Sequence, residues 1–501
     1  MKNVLGRDIP AEIENYGRVK PYGGAFRLKP ENKLLSSLDE AIEKTGLKDG
    51  MTISFHHHFR NGDKVVNLVM EAIRRKGIKD IHIAASGLFP CHDVLVPMVE
   101  DGTIRKLTFS TIAKGGLTAA IMDGKFREPC VIQSHGARAR AILDGDLHID
   151  VAFIAAPCCD TGGNMCGIGG KSNCGLLSFA YADAAFADKV VAVTDGLTSA
   201  GVDSVEISHD HVDYVVEVDS IGDSEGIMYG STVPSDKPEK LRIAEMVALL
   251  LDKSGYIKDG MSFQTGASSI GLSVATYVEK VMKEKGVKGS FCLGGITRYL
   301  DGMINEGLFE KAQSVQIFDI DVLKTLSKSL NHIAQGSDRY GNPRNPNALV
   351  NFLDIMILGA TEVDLDFNVN VITSSSGRII TAPGGHTDCA AGAKIAVVVQ
   401  ESIRRGASTI CDRVCCITTP GETVDVLVTE LGIAVNPLRQ DLVKALEGSG
   451  LPLMTIGEMK ALADAKATAG AGELKTGGRI VAVVEYRDGS VIDVIRQSAT
   501  E

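Results

Sequence analysis

A run of three histidines followed by an arginine stands where a short apolar strand, predicted over residues 51–55, gives way to a helix. These residues are His56, His57, His58 and Arg60. Ring N–H groups and a guanidinium at the start of a helix suit a ligand that carries carboxylates. A metal pair and exposed loop histidines remain the alternatives. Because side chains alternate along an extended chain, we expect His56 and His58 on one side and His57 on the other.

A glycine-rich loop follows a second apolar strand, predicted over residues 151–156. Glycines let the main chain turn sharply and bring its N–H groups close to a ligand, and the loop after a parallel strand is where open α/β sheets bind ligands. A flexible turn is the alternative. The four cysteines of this region lack the paired C-x₂-C spacing of zinc sites, so we predict no metal site. The candidate loop residues are Asp160, Gly163, Asn164, Gly167, Gly169 and Gly170.

A second glycine pair, Gly384 and Gly385, offers backbone donors in the later part of the chain. Donors that are fixed before the reaction are what an acyl-transfer oxyanion needs. Asp388 could hold this loop or orient His386. A nucleotide-phosphate loop is the competing interpretation, although neither the G-x-G-x-x-G nor the G-x₄-G-K-[ST] pattern is present here.

The composition is that of an ordinary water-soluble globular protein, since 44% of the 501 residues are hydrophobic and 23% are charged. The net charge of −11 argues against a nucleic-acid partner, which would favour a basic surface. No apolar run approaches the roughly 20 residues needed to cross a bilayer, and the charges near the N-terminus do not fit a signal peptide. We therefore expect a cytoplasmic protein without a membrane partner, with reduced thiols at its eleven cysteines.

The chain resembles itself at a separation of just over two hundred residues. Residues 48–51, Lys-Asp-Gly-Met, recur at 258–261, and each copy opens a predicted strand. Repeats of this length are duplicated domains rather than solenoid units. At a constant separation of 204, Asp150, Ile154, Ala156, Asp160 and Asn164 match Asp354, Leu358, Ala360, Asp364 and Asn368.

This repeat predicts an α/β protein of two tandem, internally repeated open α/β domains with the active site at the domain interface. We place an N-terminal domain at residues 1–221, a linker at 222–240 and a C-terminal domain at 241–501. Near the end of the chain, two apolar runs flank Arg487, Asp488 and Gly489 and predict a C-terminal hairpin at a sheet edge.

Segments that begin at Leu358, Pro383 and Ala393 resemble family I CoA-transferases, whose Gly-Gly-x-x-Asp segment lies beside the acyl thioester. The triple histidine and residues 156–164 narrow this resemblance to the citrate lyase alpha-chain family, over almost the whole chain. The resemblance implies the ribose-5-phosphate isomerase and CoA-transferase type of fold. It also implies an enzyme, a citrate CoA-transferase that exchanges the acetyl group on an acyl-carrier subunit for citrate, giving citryl thioester and acetate.

One departure from the family pattern bears on the mechanism. Ordinary family I enzymes carry a glutamate nucleophile in a segment that ends Asp-Gly; here it ends at Asp301 and Gly302, and Thr297 occupies the glutamate position. A threonine without an evident base is a poor nucleophile. The resemblance therefore implies direct attack of a citrate carboxylate on the acetyl thioester, through a mixed anhydride. The alternative is an ordinary CoA-transferase with a covalent glutamyl-CoA intermediate, formed on Glu306 or Glu362.

The resemblance implies roles for the candidate residues. We expect Gly384 and Gly385, supported by Asp388, to stabilise the thioester oxyanion, and residues 162–170 to form the facing wall of the cleft. The candidates for binding citrate's carboxylates are His56, His57, His58, Arg60 and Arg298.

The resemblance also implies partners, namely the acyl-carrier (gamma) and citryl-lyase (beta) subunits of citrate lyase. The carrier would supply a CoA-like phosphopantetheine group, for which acetyl-CoA could substitute, and we expect no cofactor bound by this chain alone. We also expect a homo-oligomer. Two other functions stay open, a sugar-phosphate isomerase of the same fold and a catalytically silent metabolite-sensing module.

Overall fold

The structure, a computed structural model, describes residues 29–230, 233–327, 329–470 and 476–498. In the first half of the chain, short strands alternate with helices. The strands are β1 (Leu34–Leu35), β2 (Thr52–Phe55), β3 (Ile81–Ala85), β4 (Ile104–Phe109), β5 (Cys130–Ile132), β6 (Val151–Ala156), β7 (Cys158–Asp160), β8 (Met165–Cys166), β9 (Lys189–Thr194), β10 (Leu197–Thr198) and β11 (Tyr214–Glu217). The helices are α1 (Leu38–Thr45), α2 (Val65–Arg75), α3 (Val96–Glu100), α4 (Gly116–Met122), α5 (His135–Asp144) and α6 (Tyr181–Phe186).

The first large sheet has the strand order β1-β11-β9-β6-β2-β3-β4-β5, and these neighbours are all parallel. Parallel strands are joined by crossovers that cover both faces of a sheet, so their residues are apolar without alternation. Strand β6 follows this rule, because all six of its residues are buried. The carboxyl ends of the strands therefore meet at one edge of the sheet, where ligand sites of such folds lie.

The second half of the chain repeats this alternation. Its strands are β12 (Ser262–Thr265), β13 (Gly289–Ile296), β14 (Phe309–Ile317), β15 (His332–Ala334), β16 (Ile355–Gly359), β17 (Glu362–Asp364), β18 (Val369–Asn370), β19 (Ile395–Val399), β20 (Ile403–Arg404), β21 (Ala407–Ser408), β22 (Ile410–Cys411), β23 (Val426–Thr429) and β24 (Gly432–Val435). Its helices are α7 (Pro238–Lys253), α8 (Ser269–Lys285), α9 (Arg298–Asn305), α10 (Ile320–Leu326), α11 (Ser337–Gly341), α12 (His386–Gly392), α13 (Gln440–Leu446) and α14 (Ile456–Lys466).

The second large sheet has the order β15-β14-β13-β12-β16-β19-β23-β24, parallel except for the pair β23 and β24. When β12 is aligned with β2, the order β23-β19-β16-β12-β13-β14-β15 matches β11-β9-β6-β2-β3-β4-β5 of the first sheet. The mixed α/β class expected from the sequence, with sheets that are mostly parallel, is confirmed.

The two halves also share a hydrogen-bonded turn. The backbone N–H and the side-chain amide of Asn164 donate to the Asp160 carboxylate at 2.9 and 2.8 Å. Asn368 donates in the same way to Asp364, at 2.9 and 3.2 Å. Each turn belongs to a small three-stranded sheet, β10-β7-β8 or β18-β17-β22. The sequence match at a separation of 204 thus corresponds to a matched local geometry.

The C-terminal hairpin consists of β25 (Thr476–Glu485) and β26 (Val491–Ser498). Strand β25 pairs in parallel with β5, so the hairpin extends the first large sheet to ten strands. Residues of the predicted second domain therefore cover the open edge of the first sheet, which would otherwise expose unpaired backbone groups. Val481, Ala482 and Val484 pack into the core of that sheet.

One large apolar cluster surrounds the first sheet, and two clusters pack against the second sheet. All eleven cysteines are free thiols. In the part of the chain that the structure describes, no helix has both the length and the apolar character needed to cross a bilayer.

Candidate active site

A cavity of about 270 Å³ lies where the ends of strands from both large sheets face one another. The first half of the chain contributes His57, Arg60, Thr111, His135 and Phe179 to its lining. The second half contributes Gln264, Thr265, Gly266, Ala267, Gly295, Val315, Gln316, Phe318, Tyr340, Met356, Ile357, Leu358, Gly359, Pro383, Gly384, Gly385 and His386. A concave site with a few converging polar groups is the usual form of a small-molecule site.

His57 presents one ring nitrogen to this cavity. Its backbone N–H donates to Ser86 Oγ at 3.0 Å, and its Nδ1 lies 2.7 Å from the same oxygen. Since the Ser86 hydroxyl has one proton and no other acceptor for it among the described residues, it donates to Nδ1, and the neutral ring carries its proton on Nε2. Burial, aided by the neighbouring His135, lowers the pKa of His57 well below its usual value. His57 is therefore a neutral hydrogen-bond donor.

His135 has the opposite arrangement. The Ser110 hydroxyl donates to the Ser86 carbonyl at 2.8 Å, so it can only accept from His135 Nδ1, 2.9 Å away. The proton of the neutral ring therefore lies on Nδ1, and Nε2 is a bare acceptor. Burial lowers the pKa of His135 to about 3. The two rings stack with centroids 5.6 Å apart, and both pack on Phe179.

Arg60 is the only lysine or arginine among the described residues that line the cavity. Its guanidinium packs against the rings of Phe89 and Phe318, 5.6 and 5.0 Å from their centroids. Nη1 donates to the Ile227 carbonyl at 2.8 Å. Burial lowers its pKa to about 10, which leaves it charged at neutral pH. Arg60 thus supplies a fixed positive charge with further N–H groups for an anion.

A closed network of three side chains forms part of the second-half wall. Gln264 Nε2 donates to the Tyr340 hydroxyl at 2.9 Å, that hydroxyl lies 2.9 Å from Cys389 Sγ, and Sγ lies 3.3 Å from Gln264 Oε1. Burial raises the pKa of Cys389 to about 12 and that of Tyr340 well above its usual value. These groups are neutral and committed to one another, so they shape the wall rather than react.

The glycine pair predicted to stabilise an oxyanion lies in the cavity lining, but its two N–H groups differ. Gly384 N–H donates to the Ser110 carbonyl at 2.8 Å and is already used. Gly385 N–H has no hydrogen-bond partner among the described residues. A Cβ at Gly385 would stand 2.1 Å from the Tyr340 hydroxyl oxygen, which explains the need for glycine. Gly385 is therefore the available backbone donor of the pair.

Asp388 is fully buried behind this loop rather than in the cavity lining. Its carboxylate accepts from Ser134 Oγ at 2.7 Å and from Gly136 N–H at 2.8 Å, and lies 3.3 Å from Arg487 Nε. Burial raises its pKa, while Arg487 opposes that shift. Asp388 thus ties the start of α5 to α12 and to the C-terminal hairpin.

Asp388 makes no hydrogen bond to His386, although the sequence suggested that it could orient this ring. His386 is held instead by Thr419 Oγ1, 2.7 Å from Nδ1, and by the Gly359 carbonyl, 3.0 Å from Nε2. Both ring nitrogens are therefore occupied.

None of the described residues that line the cavity is an aspartate or a glutamate. Thr297 is buried at the start of α9 and lies outside the lining, whereas Gly295, in the preceding strand β13, belongs to it. Glu306 is 54% exposed and pairs with a lysine at 2.6 Å. Glu362 is buried, and its carboxylate accepts from the Asn370 side chain and the Cys415 backbone. Neither glutamate lines the cavity.

Two residues of the triple histidine face away from the cavity, as the alternation along the strand predicts. His56 and His58 stack with ring centroids 5.8 Å apart. His56 Nε2 lies 3.2 Å from the carboxylate of Asp183, which also forms a bidentate pair with Arg138. His56 and His58 therefore belong to a buried polar cluster that supports the site from behind.

Arg298, another candidate for the substrate carboxylates, also lies outside the lining. Its guanidinium binds the buried Asp319 at 2.6 and 3.1 Å and lies 3.3 Å from Asp321. Its charge is therefore already paired.

The residues of the candidate glycine loop do not line the cavity either. Asp160 and Asn164 bond to each other, and Gly167 N–H donates to Glu206 at 2.8 Å. The same stretch of chain does reach the cavity a few residues later, at Phe179. The loop itself forms a small sheet beside the site instead of the expected wall.

Sequence reasoning missed His135, Thr111 and Gln264. Thr111 and His135 follow strands of the first large sheet, and Gln264 is the next-to-last residue of β12, so applying the strand-end rule to every strand would have drawn attention to them. His135 was the hardest to find, because a lone histidine in an Ala- and Arg-rich helix has no distinctive local pattern.

The cavity can bind an anion and stabilise negative charge through Arg60, the His57 ring and the Gly385 N–H. It offers no carboxylate or ionised thiol as a nucleophile. The Thr111 hydroxyl makes no hydrogen bond to a base among the described residues, so it is not activated.

Comparisons with known proteins place this arrangement in context. The family model of the citrate lyase alpha subunit (CitF) matches residues 31–498. The citrate lyase alpha chain of Haemophilus influenzae is 42% identical over 487 residues, covering 97% of each chain. A Streptococcus mutans protein assigned as the alpha subunit of citrate lyase, solved in complex with citrate, is 43% identical with a TM-score of 0.92, and all of both chains is covered. The alpha subunit of a malonate decarboxylase from Acinetobacter baumannii, 16% identical, shares the fold with a TM-score of 0.64 over 87% of this chain and 88% of its own.

Proposed function

The chain belongs to the citrate lyase alpha-subunit family, and on that premise we propose that it exchanges the acetyl group of an acyl-carrier thioester for citrate by direct attack. As a member of this family it is an enzyme subunit of the citrate CoA-transferase class. The thioester is the substrate, carried by a CoA-like phosphopantetheine group of an acyl-carrier (gamma) subunit. The citryl thioester would pass to a citryl-lyase (beta) subunit.

Citrate binds in the cavity between the two halves of the chain. The S. mutans relative was solved in complex with citrate, which supports a citrate site in this fold. Arg60 holds one carboxylate with a fixed charge, and the Nε2–H of His57 donates to another oxygen of the substrate. The other predicted citrate ligands do not contact citrate. His56 and His58 support the cavity wall from behind, and Arg298 is paired with Asp319.

The reaction has two balanced steps. In the first step, a citrate carboxylate oxygen attacks the acetyl carbonyl carbon and the C–S bond breaks. The carrier leaves as a thiolate, and a mixed acetyl–citryl anhydride is formed. The thiolate then attacks the citryl carbonyl carbon, the anhydride C–O bond breaks, and acetate leaves with an oxygen that came from citrate. Holding both reactants in one cavity supplies part of the acceleration, because effective molarities of well-oriented reactants can reach about 10⁵ M or more.

Negative charge develops on the carbonyl oxygen in both steps. Among the described residues, Gly385 N–H is a free backbone donor in the cavity lining and is our candidate for that oxyanion. Removing one such donor typically costs about 10²–10³ in rate. Gly384 contributes its close approach rather than its N–H, and Asp388 holds the loop in place.

The observation that carries the direct route is the lining of the cavity, because none of its described residues has a carboxylate. A covalent glutamyl intermediate needs such a group beside the thioester. Thr297, at the position of the missing glutamate, does not line the cavity. The alternative route would need Glu306 or Glu362 to move into it from an ion pair or a buried hydrogen-bonded site.

The correspondence of strand order and of the Asp–Asn turns supports a further part of this proposal. The chain is a tandem duplication of one open α/β domain of the isomerase and CoA-transferase type, with the active site between the copies. The hairpin that crosses to the first sheet binds the two copies together.

The test mixes the full chain with an acetylated carrier subunit and citrate and follows acetate release. We expect release that depends on citrate and on the chain, with no protein-bound acyl group trapped by hydroxylamine or borohydride. Glu306→Gln and Glu362→Gln are the matched variants, and both should keep the activity. A trapped glutamyl ester or thioester, abolished by either variant, would replace direct attack with the covalent route. No acetate release with a competent carrier would refute the proposed function.

A further inference from the structure

We propose that His135 accepts a hydrogen bond from the substrate's hydroxyl while His57 donates one to a carboxylate, because the two neutral rings are fixed as opposite tautomers. His135 therefore selects a 2-hydroxy tricarboxylate over its deoxy analogue. The inference rests on the proposed function for the identity of the ligand. Its physical basis is the serine that fixes each ring.

Each ring has its own serine, and the two serines have opposite roles. The Ser110 hydroxyl donates to the backbone carbonyl of Ser86 and must accept from His135, whereas the Ser86 hydroxyl is free to donate to His57. The cavity therefore receives an N–H from His57 and a lone pair from His135. Neither Nε2 has a hydrogen-bond partner among the described residues.

A bare Nε2 is unsuitable for a carboxylate, because two acceptors repel each other. Citrate's three carboxylates only accept hydrogen bonds when ionised, and its single hydroxyl is the only donor in the molecule. The space above Gly384 lies within reach of this acceptor, since a Cβ built there would stand 3.6 Å from His135 Nε2 and 3.9 Å from Thr111 Oγ1. A hydroxyl placed there would satisfy the one acceptor that the ring offers.

The test measures binding of citrate and of tricarballylate, which has the three carboxylates but no hydroxyl, to the full chain by calorimetry. A buried acceptor left unpaired predicts a weaker affinity for tricarballylate, by about 10- to 100-fold. In His135→Phe, which keeps an aromatic ring, this ratio should fall to near one through loss of citrate affinity. His57→Phe is the matched control; it should weaken both ligands and keep the ratio.

Ser110→Ala tests the same idea without touching the ring. It removes the acceptor that holds the proton on His135 Nδ1, so the citrate preference should fall several-fold. In the wild-type chain, ¹⁵N spectra of labelled histidines should show an unprotonated Nε2 at His135 and an unprotonated Nδ1 at His57.

Equal affinity of the wild type for both ligands would overturn the proposal, as would an unchanged ratio in His135→Phe or the same tautomer in both rings. The binding experiments and the acetate-release experiment can fail independently. A chain that prefers citrate in binding but releases no acetate would refute the transferase reaction and leave the hydroxyl assignment standing.

Discussion

The buried pair of Asp388 and Arg487 gives the most quantitative prediction about how the site is held together. The Asp388 carboxylate receives Ser134 Oγ, Gly136 N–H and Arg487 Nε within 3.3 Å, and all of these groups are buried. In Asp388→Ala, Arg487 keeps its bond to the Gly341 carbonyl at 3.1 Å but loses its counter-charge. Breaking a buried pair from one side costs about 3–5 kcal/mol, so we expect a loss of that size in unfolding free energy.

Arg487→Met should cost less than Asp388→Ala, because Asp388 retains two hydrogen bonds and can bind a proton. Its folded-state pKa is already raised by burial. Removing Arg487 raises it further, so the variant should approach wild-type stability at acidic pH. Its deficit should grow as the pH rises through the folded-state pKa of Asp388, since the ionised form then becomes costly.

Denaturant unfolding of the wild type, both single variants and the double variant, at acidic and neutral pH, tests this reasoning. At neutral pH, the double variant should lose less unfolding free energy than the sum of the two single-variant losses, and the difference should be about 1.5–3 kcal/mol. Strict additivity, or a loss of stability in Arg487→Met that does not depend on pH, would refute this role of the Asp388–Arg487 pair.

Three further outcomes follow from the same geometry. In steady-state kinetics, Arg60→Met should raise the KM for citrate by about 10- to 100-fold. Arg60→Lys should have an intermediate KM, because lysine keeps the charge but lacks the planar guanidinium that packs on Phe89 and Phe318. Gly385→Ala should destabilise the chain in thermal unfolding, because its Cβ would stand 2.1 Å from the Tyr340 hydroxyl. Gly384→Ala should fold with a loss of about 1 kcal/mol in unfolding free energy, because its φ is +57°, and it should lose activity. The contribution of three buried, neutral histidines to the unfolding free energy should be constant above about pH 6.5. It should fall by up to about 1.4 kcal/mol per pH unit and per histidine as the pH drops towards their folded pKa of about 3, which denaturant unfolding across this pH range can measure. These histidines are His58, His82 and His135.

Several features of the fold and site could be read from the sequence because they depend on local rules. Alternation along β2 correctly separated His57 from His56 and His58. The Asp160 and Asn164 pair recurs in sequence because both copies build the same turn. The glycines at 384 and 385 could be found because the first has a φ of +57° and the second has no room for a Cβ beside Tyr340, two constraints visible as residue type.

Other features depend on partners that are not neighbours in the sequence. Arg298 is a typical anion-binding residue by type and position, yet Asp319 uses its charge, and the sequence contains no sign of that pairing. The hairpin is locally evident, but its docking on β5 joins residues about 350 positions apart. Whether Gly384 or Gly385 keeps a free N–H depends on Ser110, more than 270 residues earlier.

A single-turnover oxygen-transfer experiment tests direct attack most directly. The full chain, in excess over acetylated carrier, is mixed with citrate whose carboxylates contain oxygen-18, and the acetate of the first turnover is analysed by mass spectrometry. Direct attack predicts acetate with one oxygen-18 atom and an unlabelled protein, with a parallel run in labelled water to exclude hydrolysis. Unlabelled acetate together with oxygen-18 in a glutamate of the chain would contradict the account.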